Sequence, residues 1–568
     1  MKRLAIIIFY LTAPLSPATA VLAQVTPPAN ASRSAVGERL ANYEALTELF
    51  VDWRAFATPA LNGYLPDYSD AAMAEKKAAL PDLMARLKAI DTVGWPVDAL
   101  ADYRLVQAEM NGMDFDFRVL HPWSRDPTFY ATVFADWSDV PAHEGPYAYP
   151  NINLYDFKFP LDVKEQAKLT AMLASVPKLL ESARENLKSS NARDLWVYGG
   201  AAFRQQSAVL SALEAGTLTM RTLDGRLPAT MTGAKPALLQ AIRAARRATD
   251  RFATWIAEQA PGKTGPSGVG KDNYNWYVAN VELLPYDWDQ QVLLLRRELD
   301  RAISSLTLEE LRNSDVPPVR TADDPAAYRR MAAEKTAFFS AFMESKGFAE
   351  ARPEYRSAMA AQTPDYVPPD HRDFFSHVTS QDPLPLVTHA SHWIDLARLK
   401  YQPSASAIRR TPPLYNIFAN RSEGLATAFE EIVMQAGMYD KIPHGRELVW
   451  IMLANRAARG LASLYVQSNE MTLAQAGKFH AEWTPRGWSN PESPLVAFEQ
   501  LLYARQPGYG PSYIIGKLQI DGLIADAVRA DDAARKPFVM RDFIGRMMSA
   551  GILPVALIHD EVIPPKPQ

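Results

Sequence analysis

The sequence predicts an all-α fold, a large multi-helix assembly around a central cleft. Three observations carry that expectation. Apolar residues recur at three- and four-residue spacing over long stretches. Alternating strand patterns are scarce. The 43 prolines fall mostly where helices would end or long shaped loops begin. The 568 residues, 48% hydrophobic and 22% charged, suffice for a large buried core.

Taken in order, Lys2 and Arg3 precede the apolar run Leu4 to Leu11, and the small residues Ala18, Ala20 and Ala23 follow. That is the layout of a secretory signal peptide, expected over residues 1–23. The apolar run is too short for a permanent span, so no stable membrane anchor is expected after cleavage. No cysteine is present to carry a lipid. A periplasmic or secreted protein is the expectation. Residues 24–40, including "VTPPANASRS", read as a flexible leader. Residues 41–560 read as a single large helical domain, with two lobes an alternative, and 561–568 as a flexible tail.

Within the domain, Leu169, Met172, Leu173, Val176, Leu180, Ala183 and Leu187 form a helical stripe interrupted by Pro177, where a kink is expected. Val292, Leu295, Leu299, Ala302, Ile303 and Leu306 form another. Leu425, Phe429, Ile432, Val433 and Ala436 form a third, closed by Gly437 as C-cap. "AYPNINLYDFKFPLD" (148–162) reads as a connector with a short extended piece.

Composition excludes several chemistries. Net charge is -4, so the basic stripe of a nucleic-acid binder is not expected. Zero cysteines rule out disulfides, thiolate nucleophiles and cysteine-zinc sites. No Gly-x-Ser-x-Gly and no phosphate-binding glycine loop is present. A peptide or small-molecule ligand is the expected partner; oligomeric state is not legible.

The candidate chemistry lies in the C-terminal third. In "THASHWIDLARLK" (388–400), His389 and His392 sit three apart. On a helix they would share a face, their Cβ atoms about 5–6 Å apart. Such a pair can hold zinc with a carboxylate as third ligand; two ordinary packed histidines are the alternative. In "NRSEGLATAFEE" (420–431), Glu423 and Glu430 fall about 20° apart around a helix and about 10.5 Å apart along it. That rise is too long for both to grip one small ion. One can ligate while the other orients a histidine or a water; a solvated helix face is the alternative. "AHEGPYAYP" (142–150) contains His-Glu, but Pro146 and Pro150 break the turn a metal helix needs. In "RQPGYGPSYIIGKLQID" (505–521), a Pro-Gly loop feeds a helix bearing Ser512, Tyr513 and Lys517. Tyr513 can steady an oxyanion, and Ser512 and Lys517 are candidate substrate-binding groups; a structural turn with a capping serine is the alternative.

These stretches resemble a bacterial family, domain-of-unknown-function family 885, whose members look like helical zincin-type metallopeptidases. "ALADYRLVQAEMNG" (99–112), "GKDNYNWYV" (270–278) and "QQVLLLRRELDRA" (290–302) are similar to its early and middle segments. Glu423-Gly424-Leu425-Ala426 through Glu430 resembles its Glu-Gly-Trp-Ala signature, with Leu425 in place of Trp. Pro507-Gly508 through Ser512-Tyr513 and Gly516-Lys517 resembles its Pro-Gly element. The resemblance implies a metal site on His389, His392 and Glu423, with Glu430 and Tyr513 as catalytic groups and peptides or small amides as substrates. It also implies an altered site. The family's His-Glu-x-x-Pro-Gly-His-His falls on "PLVTHASHWID" (385–395), where no glutamate follows the leading position. Ser463 and Gln467 stand where an aspartate and a histidine are expected, and a glutamine cannot transfer a proton near neutral pH. A non-catalytic descendant that binds its ligand without zinc is the alternative.

Overall fold

The computed structural model describes residues 29–137 and 150–563. The expected signal peptide, most of the His143–Glu144 loop and the end of the tail lie outside them. Helices dominate. Among the described residues, strand pairing is limited to short two-stranded pieces, Leu61–Asn62 with Leu65–Pro66, Val133–Phe134 with Ile152–Asn153 and the hairpin Thr219–Thr222 with Gly225–Pro228, and to one isolated bridge between Ala192 and Gly265. The 148–162 connector thus contributes one extended piece, Ile152–Asn153. The first helix, Ala29–Ala57, begins inside the stretch expected as leader. No helix among the described residues is long and apolar enough to cross a membrane.

The helical stripes seat as their periods require. In Val163–Asn186, Leu169, Leu173, Val176, Leu180 and Ala183 are buried, and the helix continues through Pro177. Its start is a capping box in which Asp162 and Glu165 satisfy each other's backbone N–H groups. Trp288–Arg312 begins the same way with Asp287 and Gln290 and buries Leu295, Leu299, Ala302 and Leu306. Each fully buried leucine contributes about 1.5–3 kcal/mol. One cluster of buried apolar side chains reaches from Leu46 to Val562.

Three helices form the interior: Ala419–Gln435, Gly445–Gln467 and Tyr509–Ala533. Every residue from Glu447 to Gln467 is buried, Arg456 and Arg459 included. The first and third touch backbone to backbone. A Cβ on Gly424 would stand 2.4 Å from the Gly516 Cα, and one on Gly516 would stand 2.0 Å from the Asn420 carbonyl oxygen. Only glycine permits that approach. Ala419–Gln435 is therefore enclosed on more than its apolar stripe, and the solvated-face alternative for Glu423 and Glu430 fails.

The histidine segment departs from one continuous helix. Leu384–His389 ends at a turn over Ala390 and Ser391, and His392–Tyr401 begins anew. Trp393 is 2% exposed and packs in the core. Asp395, one turn into the second helix, forms a buried ion pair with Arg421 at 2.9 Å. That pair ties the histidine segment to the first turn of Ala419–Gln435.

Candidate functional site

The turn at Ala390–Ser391 lets both imidazoles face the Ala419–Gln435 helix. His389 Nε2 and His392 Nε2 each lie 3.2 Å from Glu423 Oε2. The two Nε2 atoms are 3.4 Å apart. Among the described residues, His389, His392 and Glu423 are the one group of such side chains that converges this way. His392 and Glu423 are buried, while the His389 side chain keeps 13% exposure and opens the cluster outward.

The outer atoms of the three residues each face a polar group. His392 Nδ1 faces Ser422 Oγ at 3.3 Å. His389 Nδ1 faces Glu430 Oε1 at 3.0 Å. The Tyr509 hydroxyl donates to Glu423 Oε1 at 2.5 Å. With protons on the two Nδ1 atoms, both Nε2 lone pairs point at Glu423 Oε2. That oxygen is buried and accepts no hydrogen bond of good geometry. Electron-rich atoms this close repel unless a proton or a cation sits among them. Burial pushes the Glu423 carboxyl up, but the two imidazoles in their protonated, cationic form outweigh it and hold it well below the usual carboxylate range.

The donor set fits a metal. Ligands about 2.0–2.1 Å from a tetrahedral zinc stand about 3.3 Å from each other, which matches the separations of 3.2 to 3.4 Å here. Two histidines and one carboxylate leave a fourth position open, the pattern of catalytic rather than structural zinc sites. Glu430 then takes the orienting place rather than the ligating one. The His389 ring bridges the gap between the two acids, with Glu423 on one nitrogen and Glu430 on the other.

Glu430 is itself fixed from behind. Arg456 Nη2 lies 2.6 Å from Glu430 Oε1, both side chains fully buried. Arg459, one turn on, pairs with the buried Glu499 and stacks its guanidinium 4.2 Å from the centroid of the Tyr513 ring. Tyr513 in turn stacks on His389, centroids 5.8 Å apart and planes at 24°. Tyr513 is thus beside the cluster, and its ring packs against one of the imidazoles.

Ser512 and Lys517 are not brought to the cluster's open side. Ser512 is fully buried and donates to the Tyr509 carbonyl at 2.6 Å. It caps nothing, because the helix is capped by Gly508 in a left-handed conformation, φ 47°. Lys517 Nζ lies 3.0 Å from Glu431 and 2.7 Å from Asp521. Burial pulls its pKa down, but these acids outweigh it and hold it above the ordinary lysine value. Gln467 serves structure: its Nε2 donates to the Tyr503 carbonyl at 2.7 Å, and its Oε1 accepts from the Val269 N–H. Ser463 is buried against Gly510.

Sequence reasoning missed Tyr509, Arg456, Arg459 and Ser422. A signal existed for three of them. Two arginines three apart inside the apolar run 448–466 require buried counter-charges. Tyr509 precedes Tyr513 by four residues and so shares its helix face. Ser422 carries no such signal.

Fold and cluster together define a class: a large all-α protein in which an interior helix and the histidine segment packed against it present a His-His-Glu set. The chain belongs to the family described as bacterial protein of unknown function, DUF885, whose model matches residues 53–369. The match ends before the His-His-Glu cluster. Two solved structures share the fold. One is a candidate lipoprotein of unknown function from Shewanella oneidensis, 14% identical, with 92% of this chain and 98% of that one covered at a TM-score of 0.62. The other is a candidate lipoprotein from Colwellia psychrerythraea, 15% identical, with 93% and 98% covered at a TM-score of 0.64. No curated protein matches the sequence.

Proposed function

We propose that His389, His392 and Glu423 are ligands of a divalent metal, with zinc the best match, and that the protein is an exported, zincin-like hydrolase of peptides or small amides whose site departs from the family pattern. One observation carries the reading: three ligand atoms converge at zinc-like separations around a buried carboxylate oxygen that lacks a donor. Export is supported by the charged, apolar and small-residue order of residues 2–23 and by the lipoprotein descriptions of the two neighbours, although this sequence holds no cysteine to lipidate.

When bound, such an ion supplies Lewis acidity to a carbonyl oxygen and lowers the pKa of water. The protein's own groups have separate tasks. Glu430 accepts the Nδ1 proton of His389 and keeps its Nε2 turned inward. Arg456 gives Glu430 a buried counter-charge. Tyr509 occupies the second oxygen of Glu423, so only Oε2 is presented. Tyr513 fixes the plane of the His389 ring.

The test is cleavage of a peptide library and of simple aryl amides by the mature protein. Chelator-sensitive cleavage, restored by zinc and absent in His389→Ala and His392→Ala, is expected. A second reading, a metal-holding binder without turnover, is favoured by the full burial of Glu430 behind the His389 ring, with its Oε1 against both His389 and Arg456. Peptide binding by zinc-loaded protein without any cleavage would select that reading. Cleavage that persists in both histidine variants would remove the metal from the reaction.

A further inference from the structure

The His389 ring is met at its edge and at its face, and both restraints trace back to one helix. Arg456 and Arg459 sit three apart on Gly445–Gln467. Arg456 backs Glu430, which faces His389 Nδ1 at 3.0 Å. A contact at one ring nitrogen leaves the ring able to tilt, because the histidine χ2 torsion is broad. A second restraint must act on the ring face if Nε2 is to keep its aim. Tyr513 supplies that face, its plane 24° from that of the imidazole.

Arg459 in turn holds Tyr513. Its guanidinium lies 4.2 Å from the Tyr513 ring centroid and 5.8 Å from that of Phe375. Phe375 belongs to Phe374–Gln381, the helix immediately before the one that ends at His389. Glu499, buried on the helix Pro494–Arg505, pairs with the same guanidinium. One side chain, 2% exposed, therefore joins Tyr513, the approach to His389 and a further helix. A guanidinium suits this place. It is planar, so it stacks on an aromatic face, and its fork pairs with a carboxylate at the same time. A lysine would reproduce the charge without the plane.

We propose, resting on the metal reading above, that Arg459 is a positioning residue for the His-His-Glu site. It acts through Tyr513 on the ring plane of His389, and Glu499 holds the guanidinium in place. Arg456 and Arg459 thereby divide the work: the first sets the Nδ1 side of His389 through Glu430, the second sets its face.

The mature protein is freed of metal. Zinc affinity is measured by competition with a chromophoric chelator, and the visible absorption bands of the cobalt-loaded protein report ligand geometry. Arg459→Lys is expected to weaken zinc about tenfold and to displace the cobalt bands. In a Tyr513→Leu background the same substitution is expected to change neither. In a Tyr513→Phe background, which keeps the ring, it is expected to act in full. Non-additivity of this kind marks action through one side chain, whereas general loosening of the core adds equally in all backgrounds. Melting curves establish that each variant is folded. Should Arg459→Lys fail to fold, Arg459→Gln combined with Glu499→Gln leaves neither charge of the pair stranded and is measured in the same backgrounds. A parent protein that takes up neither zinc nor cobalt removes the metal reading and the role of Arg459 with it. A parent that loads normally, beside an Arg459→Lys protein of equal affinity and spectrum, overturns the role of Arg459 alone. So do equal losses with and without the Tyr513 ring.

Discussion

Replacing Glu430 by glutamine keeps the size and shape of the side chain and removes its charge. Arg456, 2.6 Å away and fully buried, then has no counter-charge among the groups it contacts. Breaking a buried pair on one side costs about 3–5 kcal/mol, and Arg456→Met should cost a similar amount by stranding Glu430. The amide introduced by Glu430→Gln can still accept from His389 Nδ1, but without the carboxylate's charge behind the ring. Metal affinity should fall about 10–100-fold. The double variant separates the two roles. With both charges gone, stability should return to within about 1–2 kcal/mol of the parent, because paired buried charges trade nearly evenly against apolar packing. Metal affinity should stay low. Denaturant midpoints give the first quantity, and competition with a chromophoric chelator gives the second. Single variants as stable as the parent, or a double variant that recovers metal affinity, would refute this account of the pair.

Other expectations follow from the same geometry. Gly424→Ala places a Cβ 2.4 Å from the Gly516 backbone where ordinary contact begins at 3.4 Å; the helices must part by about 1 Å, costing about 1–3 kcal/mol, and an unchanged denaturation midpoint would contradict the backbone contact. Tyr509→Phe removes the donor to Glu423 Oε1 and should weaken metal binding about tenfold, read by the same chelator competition. Burial raises the Glu282 carboxyl to about 8, with the Asn420 amide opposing only in part. Its folded pKa lies above its unfolded value, so its contribution is fully present below about pH 4.5 and is lost as pH rises through 8. That loss is about 5 kcal/mol at most. Glu282→Gln should flatten the pH dependence of the denaturation midpoint between about pH 5 and 9, and an equally steep profile in the variant would contradict the assignment.

Much of this was legible in the chain. The three-four spacing of Leu169 through Ala183 and of Leu295 through Leu306 placed two helices and their buried faces. The angular phase of Glu423 and Glu430 puts them on one side of a helix, and the structure places them against opposite nitrogens of His389. What periodicity could not convey was enclosure. The stripe on Ala419–Gln435 suggested one wet face, because nothing in its own residues reports that Tyr509–Ala533 closes on Gly424. The break between His389 and His392 was equally hidden, since Ala390 and Ser391 are compatible with a helix. Ser512 was grouped with Tyr513 by adjacency, yet neighbours on a helix point about 100° apart. Lys517 shares the general face of Tyr513 but is captured by Glu431 and Asp521, acids from a different helix and from its own next turn.

The most direct measurement is the metal content of the mature protein after purification and dialysis against zinc, by inductively coupled plasma mass spectrometry. The account predicts about one equivalent of zinc per chain, lost in His389→Ala, in His392→Ala and in Glu423→Gln, each with its fold intact by circular dichroism. A folded parent protein that retains no metal, or variants that retain as much as the parent, would contradict it.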